Sequence, residues 1–315
     1  MSDPQPQDEV AVKPPEPLWV WLRGNPVAIK ELRGRMRGMR AFVVITVYVL
    51  LMSLFTVLLY AIYSSSSQTT LSTTGGVLGK LIFGGVVAVE LFLVCFIAPA
   101  FTAGAISGER ERRTYYLLRT TLLSANKLIL GKLISAMAFI LLLLVVAIPL
   151  QSLAFLMGGI SITEVLLSIE LLVVTAMAYG AVGIFFSTVT RRTLTASILT
   201  YSVALVMTVA LPLAALTTFS FVAVWLLTGL SNQPAVEASV LIAFGLLACT
   251  NPLATAILTE VVLQQNNSTF IYTQTFSNGS SMPLPAPWIV YTILYVVLTI
   301  VLIRMSVVSV RRVDT

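Results

Sequence analysis

The feature that most restricts this sequence is a succession of apolar segments of about twenty residues or more, each closed off by charge or by a Ser/Thr/Gly-rich stretch. Residues 41–63 contain no charged side chain. At about 1.5 Å per residue a helix over that segment is about 35 Å long, enough to cross a bilayer with modest tilt. Similar segments recur at 81–104, 129–150, 166–189, 195–216 and 288–308. Backbone N–H and C=O groups find no water partner in lipid, so each segment has to satisfy them internally as a helix. Composition agrees: 57% of the 315 residues are hydrophobic and 10% charged, against about 25% charged in soluble domains. The expected fold is therefore an all-α polytopic membrane protein.

Basic residues orient the segments. Lys30, Arg33, Arg35, Arg37 and Arg40 precede the first span; Arg110, Arg112, Arg113, Arg119 and Lys127 separate the second from the third; Arg191 and Arg192 close the fourth; Arg304, Arg311 and Arg312 close the last. By the positive-inside rule these ends are cytoplasmic, and both termini with them, which suits the plasma (inner) membrane. Between 193 and 303 there is no basic residue. One crossing at 195–216, followed by short or re-entrant outer helices, is the simplest reading and makes six spans; three crossings and eight spans are the alternative. Residues 264–287, with Gln264, Asn267 and Pro283, read as a polar outer loop.

The division of the chain follows. Residues 1–18 are a Pro-rich, acidic tail expected to be disordered and cytoplasmic. Residues 19–40 form an amphipathic elbow: Asn25-Pro26 is a helix start, and Ile29, Leu32, Met36 and Met39 form one stripe, with Lys30, Arg33, Arg35 and Arg37 on the remaining surface. The transmembrane domain is 41–308, and 309–315 is a cytoplasmic tail.

Several chemistries are excluded. The chain has no His, so His-based acid–base catalysis and His metal ligation are absent. Gly75-Gly76-Val77-Leu78-Gly79-Lys80-Leu81 lacks the spacing and the Ser/Thr of a phosphate-binding loop. Asp3, Asp8 and Asp314 are all terminal, which excludes an intramembrane aspartyl protease. Cys95 and Cys249 lie in apolar runs and read as small buried hydrophobes. The chain is thus not expected to be an enzyme by itself, to hold a metal or to bind nucleic acid. Glu90 and Glu170 lie at membrane depth and are candidate intramembrane polar sites, either lining a path or hydrogen-bonded to a neighbouring helix.

Residues 105–128 carry the most information. Ser107 can cap a helix, with Glu109 and Glu111 in its first turn, where the helix dipole favours acids. Tyr115, Leu118 and Leu122 would share one face of a helix over 107–122. Ser124 can cap the third span. A short amphipathic helix between two spans suits the docking of a soluble partner.

Here the sequence resembles the ABC-2 type transporter permeases. The resemblance rests on Gly108-Glu109-Arg110-Glu111, Thr114, Leu117-Leu118, Thr121-x-x-Ser124 and Gly131-Lys132, with Asn25-Pro26-Val27-x-x-Lys30-Glu31-Leu32-Arg33 before them. Arg113 stands where that family often has Gly, and Leu122 where it often has Pro. The resemblance implies that 26–40 is the elbow helix and that 107–122 is the coupling helix, with Glu109, Arg110, Glu111, Arg112 and Thr114 meeting an ATPase subunit. It further implies two ATP-binding subunits holding ATP and Mg, a second permease (identical or homologous), membrane lipids around the bundle, and ATP-driven export; the apolar character suits an amphiphilic or lipid-like cargo. A proton-coupled secondary transporter using Glu90 and Glu170 and a non-transporting scaffold are the competing readings.

Overall fold

The computed structural model describes residues 26–36, 39–66, 74–115, 124–229, 234–266, 269–275 and 281–312. The expected tail at 1–18, Trp19 to Asn25 of the elbow, Arg37 and the end of the chain lie outside them. Helices α1 (Pro26–Met36), α2 (Met39–Ser66), α3 (Thr74–Thr102), α4 (Ser107–Glu111), α5 (Ala125–Leu156), α6 (Ile162–Val189), α7 (Thr193–Leu205), α8 (Leu211–Gly229), α9 (Pro234–Ala248), α10 (Pro252–Asn266) and α11 (Pro287–Arg312) follow in order, with strands β1 (Ile271–Thr275) and β2 (Ser281–Pro285) before α11. A π-helical segment, Val206–Ala210, joins α7 to α8.

Among the described residues six helices are long and apolar enough to cross a membrane: α2, α3, α5, α6, the α7–α8 rod and α11. Helices α9 and α10, of 15 residues each, span about 22 Å and are too short. Between them the chain turns at Cys249–Asn251, and the Tyr295 hydroxyl donates to Thr250 O at 2.6 Å. Tyr295 lies about 12 Å along α11 from its first residue, so the α9–α10 turn dips into the bundle as a re-entrant pair. The expected loop at 264–287 contains an antiparallel hairpin pairing Ile271 with Pro285 and Thr275 with Ser281. Pro283 and Pro285 lie opposite Thr273 and Ile271; a Pro is tolerated in a strand where its missing N–H would face away from the partner strand.

Helix α6 is the centre of the bundle. Of its most apolar window 67% of residues are buried, against 11% for α2 on the periphery. It packs on α3, α5, α7 and α11, and small residues permit the approach: a Cβ on Gly183 would overlap the Thr102 side chain of α3. In the absence of a hydrophobic driving force inside lipid, close backbone approach and interhelical hydrogen bonds hold such bundles. The bonds are present: Thr175 Oγ1 and the Tyr291 hydroxyl at 2.7 Å join α6 to α11, and the Tyr179 hydroxyl and Thr208 Oγ1 at 3.0 Å join α6 to the π segment. The rejected phosphate-loop glycines serve packing instead. A Cβ on Gly79 would overlap Gly158 O, and Gly159, at φ +82°, lies against Gly76; only glycine tolerates both demands.

The two ends of the bundle differ. Described basic residues other than Lys80 lie toward the end that holds α1, α4 and the last turn of α11. The opposite end holds Lys80, the re-entrant pair and the hairpin.

Candidate functional site

At the basic end the chain leaves α3 through a turn and enters α4. The expected helix over 107–122 is not continuous. It stops after Glu111: Thr114 N–H donates to Glu109 O at 3.0 Å and Arg113 N–H to Arg110 O at 3.1 Å, with Arg113 left-handed at φ +59°. This pairing is a Schellman termination, whose left-handed position normally belongs to Gly. Arg113 accepts there a conformation that disfavours any Cβ by about 1–2 kcal/mol. Tyr115 therefore does not continue the α4 face, and Leu118 and Leu122 lie outside the described residues. Ser107 is not the cap either. Ile106 holds that position, and Ser107 is buried as the first helical residue.

What caps α4 comes from across the bundle. Ser187 Oγ, on α6, accepts from the N–H groups of Ile106 (2.8 Å) and Ser107 (3.0 Å). Arg110 returns the favour: its guanidinium donates to Thr188 O at 2.8 Å and Thr190 O at 3.3 Å, taking up carbonyls left orphaned at the end of α6. It also lies 5.2 Å from the Tyr115 ring centroid, within cation–π range. Glu111 caps α7, accepting from Thr193 N–H at 2.9 Å and Thr193 Oγ1 at 2.8 Å. Those two bonds, the backbone one first, hold its carboxyl below the ordinary carboxylate range.

Glu109 faces the other way. Lys132, on α5 and 3% exposed, donates to Glu31 of α1 at 2.8 Å and to Glu109 at 3.4 Å. The Thr114 hydroxyl also donates to Glu109. Partial burial works to raise the Glu109 carboxyl, but the Thr114 hydroxyl and the Lys132 ammonium together outweigh it, so the group sits below its ordinary value. Arg112 and Arg113 are exposed.

The Gly-Glu-Arg-Glu run is thus a junction. Through three consecutive side chains α4 is tied to α1 and α5 (Glu109 via Lys132), to α6 (Arg110) and to α7 (Glu111). Sequence reasoning assigned these residues to a partner's surface; in the structure Glu109, Arg110, Glu111 and Thr114 make contacts within the chain, and Glu111, Arg112 and Arg113 are exposed. Lys132 and Ser187 were missed as site residues, although Gly131-Lys132 belongs to the motif. A Lys two turns inside an apolar span signalled a need for carboxylate partners.

In the elbow, Lys30 and Arg33 are exposed, the Arg35 side chain lies outside the described residues, and Ile29 and Met39 of the apolar stripe are 41% and 78% exposed. The two membrane-depth acids do not share a site. Glu90 is 0% exposed and accepts from Gln151 of α5 at 2.7 Å, and its other oxygen has no hydrogen bond among the described residues. Glu170 accepts from Thr292 of α11. Each is hydrogen-bonded to a neighbouring helix.

Fold and junction together define a multi-pass α-helical membrane protein with a short charged helix, α4, anchored to the bundle after its second span. The family model for the ABC-2 family transporter protein matches residues 25–314, and the chain belongs to that family. Compared with curated proteins, the sequence finds no match.

Proposed function

We propose that this chain is the membrane-spanning permease subunit of an ATP-driven exporter, coupled through α4 to a separate ATP-binding subunit. ATP and Mg reside on that partner, two copies of which serve a pair of permeases, identical or homologous. The basic end faces the cytoplasm, where the positive-inside rule puts Lys30, Arg33, Arg112, Arg113, Arg191 and Arg192; both termini are then cytoplasmic and the membrane is the plasma (inner) membrane.

The observation that carries the reading is the triple anchoring of α4. A partner can shift a bundle only through contacts that differ between its two states. Arg112 and Arg113 offer such contacts to an acidic surface. Displacement of α4 is then handed to α1 and α5 through the Lys132 bridge, to α6 through Arg110 and to α7 through Glu111. These are four different helices, so closure of the ATP-binding subunits moves the bundle as a unit.

The test uses the complex of this chain with its ATP-binding subunit in nanodiscs. Reversing the exposed pair, Arg112→Glu with Arg113→Glu, is expected to reduce co-purification of the ATPase by about tenfold, the effect of about 1.4 kcal/mol, while the permease keeps its thermal stability. Retention of the ATPase at the unmodified level would overturn the docking role.

A further inference from the structure

We propose that the cleft between α3, α6 and α10, at the end of the bundle opposite α4, is a binding site for a single-chain acyl ester with an ammonium headgroup. The cleft has two chambers. One, of about 400 Å³, is walled by apolar side chains including Phe83, Val87, Leu171 and Ile257; the other, of about 410 Å³, is polar and lined by Ser161, Thr163, Gln264 and Thr269. Lys80, Glu164 and Leu263 belong to both. An apolar chamber opening through charge into a polar one has the shape of an amphiphile, and each volume is within the usual range for small-molecule sites.

The charges select the headgroup. Lys80 Nζ lies 3.5 Å from Glu164 and 3.4 Å from Glu260. Glu164 spends its second oxygen on Ser161 N–H at 3.0 Å. The Glu260 Oε1 that meets Lys80 also accepts from Gln264 at 2.6 Å, and its Oε2 accepts no hydrogen bond among the described residues. One cation against two carboxylates leaves the mouth with a net negative charge, favourable to an ammonium and hostile to a carboxylate, sulfate or phosphate headgroup.

Thr259 selects the linkage. It lines the apolar chamber, is 4% exposed, and its hydroxyl has no hydrogen-bond partner among the described residues. Thr255, one turn earlier on the same helix, bonds the carbonyl four residues back, Asn251 O, at 2.8 Å. A buried donor without a partner is costly. Thr259 and Glu260 both line this chamber, so the ester carbonyl, between chain and head, is assigned to the Thr259 hydroxyl. The carbonyl accepts the Thr259 proton, the ammonium sits by Glu260 Oε2, and the chain fills the apolar chamber. Binding is non-covalent and independent of the coupling proposed above.

The probe is lauroylcholine carrying a diazirine at the chain terminus, photolysed with the full chain in nanodiscs, the labelled peptides being mapped by mass spectrometry. Labelling is expected within 83–87 and 253–263. Glu260→Gln should lower it about fivefold, the scale of a partly exposed charge pair. Thr259→Val should lower it about threefold, the scale of one hydrogen bond, yet leave labelling by the matching dodecyltrimethylammonium probe unchanged. Ala256→Trp, which fills the apolar chamber, should remove it. Equal labelling by a dodecyl sulfate probe, or labelling spread over the lipid-facing surface of α2, overturns the proposal; so does labelling that survives both Glu260→Gln and Ala256→Trp.

Discussion

Two lysines, each between two glutamates, mark the opposite ends of this bundle, and they do different work. Lys132 is 3% exposed and joins Glu31 to Glu109; Lys80 is 33% exposed and lies between Glu164 and Glu260. The stoichiometry is the same. The difference is the solvent. The Lys132 ammonium is itself shut off from water, while Glu31 and Glu109 are 26% and 27% exposed, so the ammonium depends on its two carboxylates and couples the helices that carry them. Around Lys80 water screens the same interaction, the side chain retains freedom, and the cluster forms the mouth of a cleft. Burial, more than residue type, decides whether such a triad is a joint or an opening.

Lys132→Met is the largest expected blow to that contrast. It leaves Glu31 and Glu109 facing a buried apolar group and should destabilise the chain by about 3 kcal/mol or more. Thermal unfolding followed by reaction of the buried thiols Cys95 and Cys249 would measure it; an unfolding temperature like that of the parent would show that the joint carries no stability. The opposite end has one rigid element of its own. Asn251, in the α9–α10 turn, donates to Met207 O at 2.8 Å and Thr208 O at 3.1 Å, occupying carbonyls of the π segment. Asn251→Ala should therefore cost about 1–3 kcal/mol by orphaning buried acceptors, less than Lys132→Met by the same assay. Lys80→Met should cost less than about 1 kcal/mol, as exposed pairs do; a cost equal to that of Lys132→Met would erase the distinction between the ends.

The smallest effect is that of acid. The Glu109 carboxyl is held below its ordinary value in the folded chain. A depressed pKa contributes stability that is complete above the unfolded carboxylate value of about 4.3 and is lost as pH falls through the lower folded value. Melting followed by tryptophan fluorescence should thus show no Glu109-dependent change between about pH 7 and 5, and the advantage over Glu109→Gln should shrink only below about pH 4. An advantage that vanishes by pH 6 would place the origin of its stability elsewhere.

Much of the architecture was legible because lipid allows few solutions. Uncharged segments such as 41–63 had to be helices, and alternating basic ends set their order. The choice of six spans over eight was less legible, because 218–230 and 238–258 are apolar enough for either. It turned on the helix break at Cys249–Asn251, where Asn251 finds its partners in a π segment more than forty residues away. The site was legible as a location and not as a set of contacts. The Gly-Glu-Arg-Glu run announced a specialised hairpin, but charged residues between spans are as easily read facing water as facing one another. That Glu109 turns back to Lys132, and Glu111 to Thr193, depends on residues 23 and 82 positions away.

Hydropathy and charge act locally and one residue at a time, and they were enough to set the solvent, the class of fold, the apolar segments and the place of the charged segment. Which charges are spent inside the chain and which face outward emerges only when the helices pack. An ion pair's energy is set by the water excluded around it, and that exclusion exists only once α1, α4, α5, α6 and α7 have met.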